Sequence, residues 1–183
     1  MINAPNAITL ARFALIPVIA LQLHQRNDNT AFVLFTVSAA SDVADGLIAR
    51  HWNLRTRFGA IADPLADKLT MLAVAVMLTL QGSLPWWFTL ALVLRDVLIV
   101  GGALAYQVVI GSVEIAPTAL SKANTGLQFL LVLSVLAMRA GHVSDGVWAD
   151  VLLLTTLVTI VLSGAQYVLL WGRKAVEARK GSA

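Results

Sequence analysis

The sequence predicts an all-α integral membrane protein with six transmembrane helices, and three observations carry that expectation. The 183 residues are 58% hydrophobic and only 13% charged, with mean hydropathy +0.81, whereas a soluble domain is about 25% charged. Six stretches are long enough for bilayer spans of about 20 residues, separated by short polar or Gly/Pro-bearing connections. The lysines and arginines gather on one side of the zigzag those spans would make, as they do in short cytoplasmic loops.

Taken in order, spans are expected at 7–24, 31–50, 59–80, 85–109, 119–139 and 147–171, with 172–183 as a short polar cytoplasmic tail and the whole of 1–183 as one membrane domain. The opening MINAPNAITLAR has no basic start, clean apolar run and small-residue cleavage site, so its apolar segment is expected to stay as a helix. QGSLPWW joins the third and fourth spans, and Trp86 and Trp87 suit an interfacial aromatic belt. One side collects Arg50, Arg55, Arg57, Lys122, Arg173, Lys174, Arg179 and Lys180, and the other has only Arg26 and Arg139. Both termini are therefore expected in the cytoplasm, and a bacterial inner membrane is the expected location. The net charge of +3 reads as a positive-inside signature rather than as a nucleic-acid surface. Absence of cysteine excludes a disulfide framework, a thiolate metal site and a cysteine nucleophile. His24, His51 and His142 are too scattered in sequence to suggest a metal site and are expected in loops.

The second and third spans carry acids where apolar residues belong. SDVADGLIAR places Asp42 and Asp45 at i,i+3, and GAIADPLADK places Asp63 and Asp67 at i,i+4, so each pair shares a helical face. Measured from the cytoplasmic helix ends, the two pairs lie at matching depths of roughly 6–12 Å. A charge at a helix centre costs about 2.5–3.5 kcal/mol even on the lenient insertion scale, so a cation must offset the acids. Arg50, Arg55, Arg57 and Lys68 could do so as ion pairs that merely position the loop. Four aspartates fit hard divalent cations better, and two Mg²⁺ or Mn²⁺ ions would balance four negative charges. Such a metal pair suits phosphoryl displacement. Gly46 and Gly59 would let a diphosphate approach the backbone, and Arg50 can grip phosphate in a bidentate fork.

Asp42, Asp45, Gly46, Ala49, Arg50, Gly59, Asp63 and Asp67 stand at the spacing D-x2-D-G-x2-A-R-x8-G-x3-D-x3-D. This pattern resembles the signature of the CDP-alcohol phosphatidyltransferase family, with all eight fixed positions matched over 26 residues. PNAITLAR likewise resembles the start of the family's first helix. The resemblance implies a membrane enzyme, commonly a homodimer, with a polar active-site cavity facing the cytoplasm. It implies that Asp42, Asp45, Asp63 and Asp67 hold metal, that Gly46, Ala49, Arg50 and Gly59 line the CDP site, and that Asp67 is the general base toward the acceptor hydroxyl.

Beyond the signature, LRDVLIVGG, ADPLADK and PT-x-LSKANT-x-LQ resemble the CMP-forming, eukaryotic-type cardiolipin synthases more than the synthases that use glycerol-3-phosphate. Arg95 and Lys122 are the expected acceptor-binding residues, with phosphatidylglycerol as the expected acceptor and glycerol-3-phosphate the alternative. Arg95 and Asp96 are neighbours that do not share a helix face, so one is expected to face the cavity and the other to secure the helix. Lys122, Thr125 and Gln128 recur every three residues and are expected on one face. A divalent cation transporter is the alternative from another class, because intramembrane aspartates also mark ion pathways. Against it, the acids are confined to the first half and lie near one surface.

Overall fold

A computed structural model describes the backbone of residues 4–51, 57–109 and 118–181 and the side chains of residues 11–41, 65–104 and 118–173. Among the described residues there are six α-helices and no strand: α1 Ala4–His24, α2 Asp28–His51, α3 Arg57–Leu80, α4 Trp86–Val109, α5 Ala119–Arg139 and α6 Val147–Gly181. They match the six expected stretches within a few residues, except that α6 runs on through the segment expected as a polar tail. That extension, GRKAVEARK, is made largely of Ala, Lys, Arg and Glu, whose helix propensities sustain the backbone ladder without apolar packing. His24 and His51 close α1 and α2 rather than lying in loops, while His142 sits in the turn after α5.

Burial is inverted relative to a soluble protein. Helix α6 exposes Val151, Leu154, Val158, Val161 and Leu162 while burying Thr156 and Ser163, and α4 exposes Leu90, Leu94, Val97 and Leu98 while burying Thr89 and Arg95. In water, the transfer cost of those apolar faces would make the arrangement unfavourable; in lipid it is the expected one. Among the described residues, α4, α5 and α6 contain segments long and apolar enough to cross a membrane, and α1 contributes the shorter apolar segment Ala11–His24. The charged residues of the signature lower the hydropathy of α2 and α3.

The chain divides into two compact units. The first comprises Met1–Leu84 and Val132–Asp145. In it α1 packs against both α2 and α3, with Ile19, Leu23, Phe35, Val74 and Leu78 buried. Arg12 meets Asp67 near the middle of the α1–α3 pair, and the Gln81 side chain donates to the Leu23 carbonyl where the two helices end. These two contacts fix α1 and α3 as parallel neighbours. Helices α1, α3 and α5 end in the same way: Asn27, Ser83 and His142 each donate from N–H to the carbonyl five residues earlier. The residue before each is left-handed, namely Arg26, Gly82 and Gly141. This is the Schellman closure, strain-free for glycine and disfavoured for Arg26.

The ends of these helices are clasped together. Arg139 donates from Nε and Nη2 to Asp28 Oδ1 at 2.9 and 2.7 Å and from Nη1 to Ser83 Oγ at 2.6 Å. His142 hydrogen-bonds Asn29 at 2.8 Å and lies with its ring centroid 5.0 Å from that of Phe32. An open polar cavity of about 340 Å³ lies beside this clasp, among Arg26, Asn29, Thr30 and Arg139.

The second unit comprises Pro85–Leu131 and Gly146–Ala183, and in it α4 packs against α6. The close approach is at Gly102, where a Cβ would stand 3.0 Å from Nε1 of Trp171, whereas the space beside Gly101 is open. Gly102→Leu is therefore expected to destabilise the protein by about 1–3 kcal/mol through overpacking. A drop in melting temperature in detergent, absent in Gly101→Leu, would show it.

Candidate functional site

Helix α2 carries Asp42, Asp45, Gly46, Ala49 and Arg50, and α3 carries Gly59, Asp63 and Asp67. The side chains of Asp42, Asp45, Gly46, Ala49, Arg50, Gly59 and Asp63 lie outside the described residues. Asp67 is described and stands about 15 Å along α3 from its first residue. Its side chain is 49% exposed although α3 packs against α1.

Arg12 supplies what sequence reasoning missed. Its side chain is 4% exposed, and Nη1 reaches Oδ1 of Asp67 at 2.5 Å. A buried guanidinium is stable in lipid surroundings only when an anion or several acceptors face it. The signal was present in PNAITLAR, because an arginine about 12 Å along the first helix needs such a partner. A hard, partly exposed carboxylate on α3 has the ligand chemistry that Mg²⁺ or Mn²⁺ takes. Among the described residues there is no cluster of three metal-binding side chains.

The second unit holds a polar seam. Arg95 is 5% exposed and donates from Nη1 to Asp96 Oδ1 at 2.7 Å, and from Nη2 to Ser121 Oγ at 2.5 Å and Ser163 Oγ at 3.2 Å. Arg95 and Asp96 thus form an ion pair between neighbours, because the long arginine arm can turn back along its own helix. Thr118 caps α5 by accepting from the Ser121 N–H at 3.1 Å, and its hydroxyl also donates to Gln166 Oε1 at 3.0 Å. Deeper along the seam, Asn124 is 0% exposed and accepts from Thr159 Oγ1 at 2.9 Å.

Lys122 and Thr125 are exposed, whereas Gln128 is 5% exposed. The face expected for Lys122, Thr125 and Gln128 therefore does not hold. A three-residue repeat falls about 60° short of a full turn at each step, so the buried stripe follows Ser121, Asn124 and Gln128 instead. Among the described residues, no hydrogen-bond partner meets Nε of Arg95, Nδ2 of Asn124 or Nε2 of Gln128. Each buried polar group left without a partner costs about 1–3 kcal/mol.

Apolar faces turned outward, polar seams turned inward and an arginine-held carboxylate define an all-helical integral membrane protein. A family model for CDP-alcohol phosphatidyltransferase matches residues 2–162, and the chain belongs to that family. It is 28% identical to a rat cardiolipin synthase (CMP-forming) over 97% of this chain and 64% of the rat protein. It is 40% identical to a putative cardiolipin synthase of Mycobacterium tuberculosis, over 55% of this chain and 49% of that protein. A probable phosphatidylglycerophosphate synthase of the same organism is 35% identical over 51% of this chain and 48% of its own length. The chain thus spans less than two thirds of the length of these relatives.

Proposed function

We propose that the protein transfers a phosphatidyl group from CDP-diacylglycerol to an alcohol with release of CMP, and that the alcohol is phosphatidylglycerol, giving cardiolipin. The observation that carries the chemistry is the family match, which runs through the whole signature from Asp42 to Asp67. The names of the rat and mycobacterial relatives support the acceptor.

In this reading Gly46, Ala49, Arg50 and Gly59 receive the CDP moiety, with Arg50 on phosphate and the glycines admitting it close to the backbone. Asp42, Asp45, Asp63 and Asp67 would hold one or two Mg²⁺ or Mn²⁺ ions, which supply neutralising charge for the diphosphate. Arg12 holds one oxygen of Asp67 and so orients the other. Asp67 takes the proton from the acceptor hydroxyl. The acceptor oxygen then bonds to the phosphorus that bears diacylglycerol, the bond from that phosphorus to the bridging oxygen breaks, and CMP leaves. Arg95 and Lys122 bind the acceptor. All six helices are taken as spans of one domain, with both termini and the aspartates facing the cytoplasm of a bacterial inner membrane, and the working form is a homodimer.

The test is CMP release by the purified chain supplied with CDP-diacylglycerol, Mg²⁺ and either phosphatidylglycerol or glycerol-3-phosphate. Product from phosphatidylglycerol, lost with EDTA and restored by Mg²⁺, is expected. Product only from glycerol-3-phosphate would move the assignment to phosphatidylglycerophosphate synthesis, the reading that the name of the third relative favours. Cation flux across vesicles without CMP release would replace the enzyme by a transporter.

A further inference from the structure

The donors left over in the second unit have a use in a reaction whose acceptor is a lipid, a role that rests on the proposed phosphatidyl transfer. Ser121, Asn124 and Gln128 occupy i, i+3 and i+7 on α5, a single stripe about 10 Å long. At its first end stands Arg95, whose two Nη atoms are occupied by Asp96, Ser121 and Ser163 and whose buried Nε has no partner. Farther along, the amide nitrogens of Asn124 and Gln128 are also buried and without partners. Three enclosed groups in one line call for a ligand whose oxygens are also strung in a line. A compact phosphate ester would reach only the arginine end. A diacyl phospholipid presents in sequence an anionic phosphate, glycerol oxygens and ester carbonyls, followed by chains suited to the apolar surroundings of the seam.

We infer that Arg95, Asn124 and Gln128 form a binding site for the polar backbone of the acceptor phospholipid, with the phosphate at Nε of Arg95 and its neutral oxygens at the two amides. Asn124 and Gln128 are then specificity-determining residues that favour an intact lipid over a water-soluble phosphate ester. They touch no reacting atom in this assignment, so their effect falls on acceptor binding and not on turnover.

Gln128→Met, which keeps length and burial but removes the N–H donors, tests the assignment with two readouts. The first is the rise in melting temperature of the purified full chain titrated with phosphatidylglycerol in the absence of CDP-diacylglycerol. The second is the KM for each substrate. The substitution is expected to weaken lipid binding and raise the phosphatidylglycerol KM about fivefold, the worth of one neutral hydrogen bond. The KM for CDP-diacylglycerol and kcat should stay unchanged, as should any melting shift caused by glycerol-3-phosphate. Gln128→Leu supplies the same comparison if the methionine variant does not purify folded.

Unchanged lipid binding and KM in the folded variant would overturn the site and leave the seam as a place for ordered water. An equal loss of glycerol-3-phosphate binding would overturn the lipid selectivity. If no acceptor yields CMP yet the lipid-induced shift still depends on Gln128, phosphatidyl transfer falls and the lipid site stands.

Discussion

Asp67→Asn is expected to lower CMP release by about 10²–10⁴-fold, the range associated with losing a general base. The asparagine oxygen can still accept from Arg12, so the α1–α3 contact persists and the variant should elute as a folded species. Measuring turnover at saturating CDP-diacylglycerol and Mg²⁺ separates this loss from weakened donor binding. A folded Asp67→Asn protein that keeps more than about a tenth of wild-type turnover would remove Asp67 from the base role. Arg12→Met provides the complementary reading: Asp67 remains, but nothing from Arg12 fixes its orientation, so activity should fall while the carboxylate is intact.

Arg95→Met is the substitution with the largest expected effect on stability. The guanidinium joins Asp96, Ser121 and Ser163, and its loss removes one shared partner from all three in the second unit. Breaking a buried pair costs about 3–5 kcal/mol, and the low end applies because the Asp96 side chain is 25% exposed. Arg95→Lys should recover little, since an ammonium has no planar fork with which to serve three partners at once. A melting temperature for Arg95→Met indistinguishable from wild type would show that the seam contributes nothing to stability.

Helix positions were legible in the sequence because long apolar stretches bounded by short polar or Gly/Pro-bearing connections favour the helix, which satisfies its backbone hydrogen bonds within the segment. The end of α6 was not, since beyond the apolar core intrinsic propensity and not hydropathy decides whether the ladder continues. The eight signature positions were legible as a pattern, because the spacing of acids on α2 and α3 is itself the information. Arg12 was missed for a different reason: its partner lies 55 residues away, and no local rule announces which helices will be parallel neighbours. The stripe of Ser121, Asn124 and Gln128 was obscured by a plausible three-residue repeat. Helical phase distinguishes the two, and phase is set by what α4 and α6 present to α5 within the second unit.

The clasp made by Arg139 bears on the order in which the first unit can be completed. Asp28 is the first residue of α2, Ser83 lies in the turn after α3, and Arg139 ends α5, 111 residues after Asp28. At synthesis rates of about 5–20 residues per second, Arg139 emerges roughly 5–20 s after Asp28. During that interval Asp28, Asn29 and Ser83 have neither Arg139 nor His142 to engage, and the first three helices depend on α1 for their mutual packing. Closure of the clasp is therefore a late event in biogenesis, and a nascent chain arrested before Arg139 should expose this end of the first unit to protease while the completed chain protects it.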